Sequence, residues 1–284
     1  MARKPTPTIR RWELGQRLRQ LREDAGVTPK AAAAVCEVSL STLSKIETGK
    51  QQIRTLYVRA LASLYGTDDV VLGELLATAG EANRSEWYVA LASRAPKWFR
   101  QYLGYEAAAT EIRTYSVELV DGRMQTEDYA RAVALANQPD ASERDLDGYV
   151  ALRRGRQARL TGDDPPRLHV VMNQLALVSN TGGPDVMRGQ IERLLELVEL
   201  DHVTLQVLPF GSGAHPAMTS PFTMLGFDEM PDMATVYIEN GRGAVYLDTK
   251  TDLDQYGWKF QQLADLALSP QDTRQLLTTV ATDL

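Results

Sequence analysis

Cysteine is nearly absent: Cys36 is the only one in 284 residues. A single thiol excludes an internal disulfide and any cysteine-rich zinc site. Cys36 lies in a small apolar helix and reads as core filler rather than a redox sensor. Histidine is almost as scarce. His169, His202 and His215 stand far apart and in no zinc-type spacing, so no metal centre is spelled out. No glycine-rich phosphate loop opens a helix, because GSGAHP (211–216) falls between predicted strands. No apolar run approaches the ~20 residues that span a bilayer. The N-terminus, with Pro5 and Pro7 among basic residues, lacks the apolar core of a signal peptide. These absences lead to the expectation of a cytoplasmic, non-enzymatic chain with no metal and no cofactor.

Charge is present but unevenly placed. Residues 1–66 hold twelve Lys/Arg against five Asp/Glu, a balance of +7, and the whole chain is at −6, which leaves −13 for the remainder. A basic head on an acidic body fits a phosphate-binding module joined to a domain that does not touch nucleic acid. The length allows two domains, each with its own core.

The most informative stretch is TPKAAAAVCEVSLSTLSKIETGK, 28–50. Thr28 is a side-chain N-cap, and Pro29 sits at the first helical position, where its missing N–H costs nothing. Glu37-Val38 breaks the pattern and Ser39 offers a second N-cap. In the helix that follows, Leu43 and Ile46 share one face, while Leu40, Ser41, Ser44 and Lys45 lie on the other. A short helix with an apolar foot and a polar, partly cationic outer face suits a major groove.

These residues resemble the lambda-repressor/Cro-type helix-turn-helix family of bacterial regulators, also called the xenobiotic-response-element family. Thr28, Ala33, Val38, Ser39, Ser41 to Glu47, Gly49 and Lys50 stand in matching places. Pro29, Cys36 and Glu37 depart from it, Glu37 standing where a turn glycine is usual. The resemblance implies a double-stranded DNA partner, and it makes Arg22 and Glu47 a structural pair between the first and recognition helices. It also leads to Leu40, Ser41, Thr42 and Lys45 as base readers. Thr28, Lys30, Ser44, Thr48, Lys50, Gln51 and Arg54 are expected on phosphates. A homodimer on an inverted repeat follows, since one such head contacts few base pairs.

Around this motif, 1–10 reads as a disordered basic arm and 11–80 as a five-helix DNA-binding head, with helices over about 12–25, 54–65 and 68–79 besides the two of the motif. A connector is expected over 81–96, broken by Pro96. The remainder, 97–284, reads as an α+β regulatory, partner-binding and dimerisation domain with a largely antiparallel sheet. Helices are predicted over 97–110, 126–137, 142–160, 184–200 and 251–268, and strands over 112–119, 167–177, 203–210, 221–227, 234–239 and 243–248. The short spacing of the last three strands implies hairpins. In the helix 142–160, Arg153, Arg154, Arg156 and Arg159 could bind an anion, but the acids Glu143, Asp145 and Asp147 favour a solvated or ion-paired face.

This half is similar to the uncharacterised sensor-like domain of many actinobacterial regulators, on QTEDYARA (125–132), ARLTGDDPPRLHVVMNQLAL (158–177), GGPDVMRGQIERLLEL (182–197), VTLQVLPFGSGAHPAMTSPFTML (203–225) and VYIENGRGAVYLD (236–248). It departs from the family at Asp121-Gly122-Arg123-Met124 and Asn173-Gln174. The resemblance implies a small acidic partner protein. Two inputs therefore stay open: that partner, giving an antitoxin-like role, or a small ligand in an apolar pocket with residues such as Trp258 and Tyr246. The long loop 211–221 is a candidate pocket rim or partner contact. A self-cleaving serine-lysine repressor, with Ala79-Gly80 as target and Ser212 or Ser220 beside Lys250, is the weakest alternative.

Overall fold

Side-chain caps set where four of the head's five helices begin. In the computed structural model, which describes residues 6–84 and 97–284, Thr6 Oγ1 accepts from the Ile9 N–H at 3.3 Å and α1 runs Pro7–Asp24. The helix therefore starts within the expected arm: 7–10 are helical, because Thr6-Pro7 supplies both a cap and a proline at the first position. Arg10 pairs with Glu13 and Glu81, and Arg11 donates to the Ala82 carbonyl, so these cations are used within the head. Arg3 and Lys4 lie outside the described residues.

Thr28 caps α2 (Pro29–Val35) and Ser39 caps α3 (Leu40–Glu47). Between them Glu37 takes φ +53°, the left-handed geometry for which glycine is usual. The turn thus keeps its shape at the expense of backbone strain. α4 (Thr55–Tyr65) ends at the left-handed Gly66, and α5 (Asp69–Ala82) is capped by Asp68. α5 extends past Gly80, so the expected connector begins later than residue 81, and its 85–96 portion lies outside the described residues. Leu14, Leu18, Leu43, Ile46, Val58 and Leu61 form the centre of the head's core, and Cys36 is buried among them. At Gly15 any Cβ would fall 2.5 Å from the Ile46 carbonyl oxygen, which lets α1 lie directly against the end of α3.

The chain divides into two units, Met1–Glu86 and Trp87–Leu284. The second contains α6 (Lys97–Ala108), β1 (Glu111–Ser116), α7 (Glu127–Asn137), α8 (Glu143–Gln157), β2 (Arg167–Asn173), α9 (Pro184–Leu197), β3 (Val203–Leu208), β4 (Phe222–Gly226), β5 (Thr235–Asn240), β6 (Gly243–Leu247), α10 (Lys250–Leu266) and α11 (Pro270–Asp283). Its six strands form one sheet in the order β3-β2-β1-β4-β5-β6. β1 pairs with β4, β4 with β5 and β5 with β6 antiparallel, while β1-β2 and β2-β3 are parallel. The sheet is therefore mixed and mostly antiparallel. Parallel pairs need crossover helices, and α7 with α8 and then α9 supply them. The strand expected over 167–177 stops at Asn173, whose Oδ1 accepts from the Leu175 N–H and turns the chain into a single helical turn, Leu175–Val178.

Period-two alternation assigns the two faces. Tyr115, Phe222 and Val236 point to the side covered by α10, where Phe260 and Leu263 complete a buried cluster. On the opposite face the register aligns Leu205, Val170, Thr114, Thr223, Tyr237 and Tyr246 in one row across all six strands. That row is apolar at one end, hydroxylated in the middle and aromatic at the other. Exchanging the strained residue tests the turn in the head: Glu37→Gly is expected to raise the stability of the head by about 1 kcal/mol, read as a higher midpoint in thermal unfolding followed by circular dichroism.

Candidate functional site

The two faces of α3 differ sharply in exposure. Leu43 and Ile46 are buried, whereas Leu40, a large apolar residue, is 56% exposed beside exposed Ser41, Ser44 and Lys45. Thr42 is half-buried, and its hydroxyl lies 3.0 Å from Ser39 Oγ, so it serves the cap as well as the outer face. Thr28 Oγ1 accepts from the Ala31 N–H, and Thr48 Oγ1 donates to the Ser44 carbonyl, closing α3. Lys30, Gln51 and Arg54 are exposed, with the Arg54 guanidinium 5.9 Å from the Tyr57 ring centroid, and Lys50 is half-buried.

What holds α3 is a buried ion pair. Arg22 Nε donates to Glu47 Oε1 at 2.7 Å and Nη2 to Oε2 at 3.1 Å, with the side chains 8% and 9% exposed. Arg22 also donates to the Val27 carbonyl, and its hydrogen bond to Glu47 raises its pKa. A two-pronged guanidinium–carboxylate contact fixes orientation as well as distance. It locks the end of α3 to α1 and leaves the outer face to solvent.

The second unit contains a cavity of about 650 Å³ lined by Trp98, Phe99, Tyr102, Tyr149, Arg153 and Tyr237 among others. Behind it lies a buried ionic network centred on Glu106. Arg156 binds both Glu106 oxygens at 2.6 and 2.8 Å, Tyr102 donates its hydroxyl at 2.6 Å, and Arg123 reaches Oε2 at 3.3 Å. Arg123 in turn holds both oxygens of Asp121 and donates to Thr114 Oγ1 at 2.8 Å, in the hydroxylated middle of the sheet row. Thr114 and Thr223 hydroxyls meet at 2.6 Å across β1 and β4. Burial alone would raise the Glu106 pKa, but Arg156 and Arg123, helped by the Tyr102 hydrogen bond, outweigh it and hold the carboxyl at about 2.

The four arginines of α8 and its end part company. Arg154 is exposed and pairs with Glu127, Arg156 is buried on Glu106, and Arg159 donates to the Glu106 and Ala109 carbonyls. Of the nearby acids, Glu143 and Asp147 pair with Arg131 instead. The pKa of Arg153 is lowered, by burial first and by Arg156 second.

Other sequence candidates are not brought together. Trp258 is 56% exposed on α10, and Tyr246 hydrogen-bonds the Trp98 carbonyl; neither lines the cavity, nor does the loop 211–221. His169 bonds Gln206, His202 the Leu160 carbonyl and His215 Tyr115, and among the described residues no group of His, Cys, Asp and Glu could hold a metal. Ala79-Gly80 lies inside α5, Ser212 and Ser220 donate to carbonyls, and Lys250 pairs with Asp254, so no serine-lysine site is assembled. No described helix is long and apolar enough to cross a membrane. The Glu106 network escaped the sequence reading. Its one visible signal was Asp121 and Arg123, two opposite charges where the sequence departs from the domains it resembles.

Helical geometry at 28–50 and the mixed sheet that follows define a helix-turn-helix protein with an α+β partner domain. A helix-turn-helix domain model matches residues 13–75. The chain belongs to the family of the domain of unknown function DUF5753, whose model matches residues 99–279. No curated protein and no solved structure matches it.

The network makes the second unit acid-sensitive in a defined window. A carboxyl whose folded pKa lies below its unfolded value contributes stability above the latter and loses it as pH falls through the former. Glu106 should therefore contribute fully above about pH 4.5, with roughly 3 kcal/mol lost towards pH 2. In Glu106→Gln the acid-dependent loss over that window should shrink, and neutral-pH stability should fall by about 3–5 kcal/mol, both measured by denaturant unfolding at a series of pH values.

Proposed function

We propose that this protein is a sequence-specific DNA-binding transcriptional regulator that acts in the cytoplasm, reads DNA with α3, and receives a signal in its DUF5753 domain. The observation that carries the reading is the exposed outer face of a helix held from behind. A leucine at 56% exposure is costly in water, and a thymine methyl is a fitting cover for it. Lys45 beside it suits a guanine edge, while Ser41 and Thr42 suit either base type. Thr28, Lys30, Ser44, Thr48, Lys50, Gln51 and Arg54 are assigned to the phosphates that set register. The +7 balance of residues 1–66 supports the same division of labour.

Eight residues of helix read only a few base pairs, so a homodimer on an inverted repeat, with half-sites about one helical turn apart, is the assembly proposed. Of the two inputs considered, a small acidic partner protein with an antitoxin-like pairing rests on family resemblance. The cavity beside Arg153 supports a small molecule, and that input is adopted.

Selection of bound fragments from randomised DNA, followed by titrations across salt concentrations, tests this. The expected result is enrichment of an inverted repeat. Lys45→Ala should flatten base preference within the half-site. Lys50→Ala should weaken all sequences alike and reduce the salt slope by about one. Equal effects of the two substitutions on every sequence would reject the division, and no enriched sequence would reject the regulator.

A further inference from the structure

The two edges of the sheet are finished differently. At β3 the outer groups of Val207 are taken: its N–H donates to Thr273 Oγ1 at 3.0 Å, and its carbonyl accepts from the Leu268 N–H at 2.9 Å. The stretch leading into α11 thus closes that side. β6 is the other edge, and among the described residues β5 is the only strand paired with it. Its Leu247 carbonyl is turned to β5, where Thr235 Oγ1 donates to it at 3.3 Å. By the alternation of an antiparallel pair, Gly243 and Val245 face β5 as well, and Ala244 and Tyr246 present their N–H and C=O groups outward. Free edges are commonly blunted by lysine, proline or a bulge, because they otherwise template pairing with another chain. The strand GAVYL has no charge and no proline, and it pairs with β5 residue for residue, without a bulge. Val245, at its middle, is 45% exposed.

What fits this edge is the same edge of a second copy. In an antiparallel pairing of two β6 strands about a two-fold axis at Val245, Ala244 lies opposite Tyr246 of the second copy, so the outward groups meet each other. Val245 lies opposite its own copy in a pair that is not hydrogen-bonded, where side chains come closest, and each covers the other's exposed apolar surface. Just beyond the strand ends, Arg242 stands opposite Asp248 of the second copy, and both residues are exposed. The symmetry makes that pair twice. Neighbouring registers lose the match: centring on Ala244 sets Arg242 against Tyr246, and centring on Tyr246 carries Arg242 towards Lys250, a like charge. We infer that the chain dimerises through β6, two copies joining their sheets edge to edge with Val245 on the axis. The inference rests on the proposed regulator only for its need of two copies, and the interface is measurable without DNA.

Sedimentation velocity of the full-length protein over a micromolar concentration series tests the interface. The wild type should be a dimer. Arg242→Asp and Asp248→Arg, each alone, set like charges opposite one another in both pairs and should weaken self-association at least about tenfold. Mixed in equal amounts, the two variants should dimerise with each other, since every pair is then opposite in charge. Ala244→Pro removes an outward N–H while leaving the bonds to β5 in place, and should shift the protein to monomer. Val245→Cys should form a disulfide-linked dimer on mild oxidation, because facing residues of such a pair lie within bridging distance. The wild type, whose single thiol Cys36 is buried, should not. Circular dichroism of each variant verifies folding, and the two charge variants, confined to exposed residues, decide the matter if Ala244→Pro does not fold. A monomeric wild type, a dimer indifferent to both charge reversals, a mixture no tighter than either variant alone, or no cross-link at Val245→Cys would overturn the interface. A β6 dimer without any enriched inverted repeat would sink the DNA reading and leave the interface standing, whereas an enriched repeat bound by a dimer that ignores these substitutions would do the reverse.

Discussion

A carboxylate taken out of water must be met by charge and hydrogen bonds, and Glu106 imposes that constraint on the whole second unit. Its partners come from places distant in the chain: Tyr102 one turn back on α6, Arg123 in the segment between β1 and α7, Arg156 fifty residues on in α8. Each is itself braced, Arg123 by Asp121 and by Thr114 on the sheet, Arg156 by the ring faces of Phe99 and Tyr102. Satisfying one acid thus fixes the seating of two helices and a loop over the hydroxylated middle of the sheet. An apolar residue at 106 could fill the same space, but it would leave Arg123 and Arg156 buried with one carboxylate between them. Such networks are worth more for the single arrangement they permit than for net stability.

The head applies the same chemistry on a smaller scale. Arg22 and Glu47 are twenty-five positions apart, and their paired contact determines which face of α3 is turned inward. Apolar packing through Leu43 and Ile46 gives the helix an inner side but little rotational precision over eight residues. The ion pair, the close approach at Gly15 and the hydrogen bond from Gln16 to the Glu47 carbonyl add that precision at one end. Ser39 supplies it at the other by capping the first turn. A surface that must present side chains to a partner benefits from both ends being tied.

Legibility followed sequence distance. Caps at Thr28, Ser39, Thr126 and Ser142 act on the residue three further on, so helix starts could be read directly. Thr6-Pro7 carried the same signal but was overshadowed by the basic composition around it. Ser269-Pro270 likewise starts α11, a helix that the sequence reading did not draw. Hairpins β4-β5 and β5-β6 were legible from short spacing. The parallel pairs β1-β2 and β2-β3 were not, because alternation shows which residues share a face and says nothing about which strand lies beside them. The Glu106 network was least visible of all, since nothing local to Glu106 distinguishes it from a solvated acid. Trp258 illustrates the converse error: a large aromatic near the sheet suggested a pocket, and its helix turns it to solvent.

The arginines of α8 show how far such inference can be pressed. Composition alone made four cations on one stretch a single feature, either an anion site or a solvated face. Their geometry divides them by what each has to neutralise. Arg154 meets water and Glu127, where an ion pair is worth little. Arg156 meets a buried acid and is obligatory to it. Arg159 satisfies carbonyls at the end of α6, where a helix exposes unpaired acceptors and favours a cation. Those three are explained by the fold. Arg153 meets the hydroxyl and ring face of Tyr149 and is drawn by Asp121, an attraction that burial and Arg156 outweigh. Held over Gly122 and at the cavity lining, it gives its hydrogen bond to an uncharged side chain.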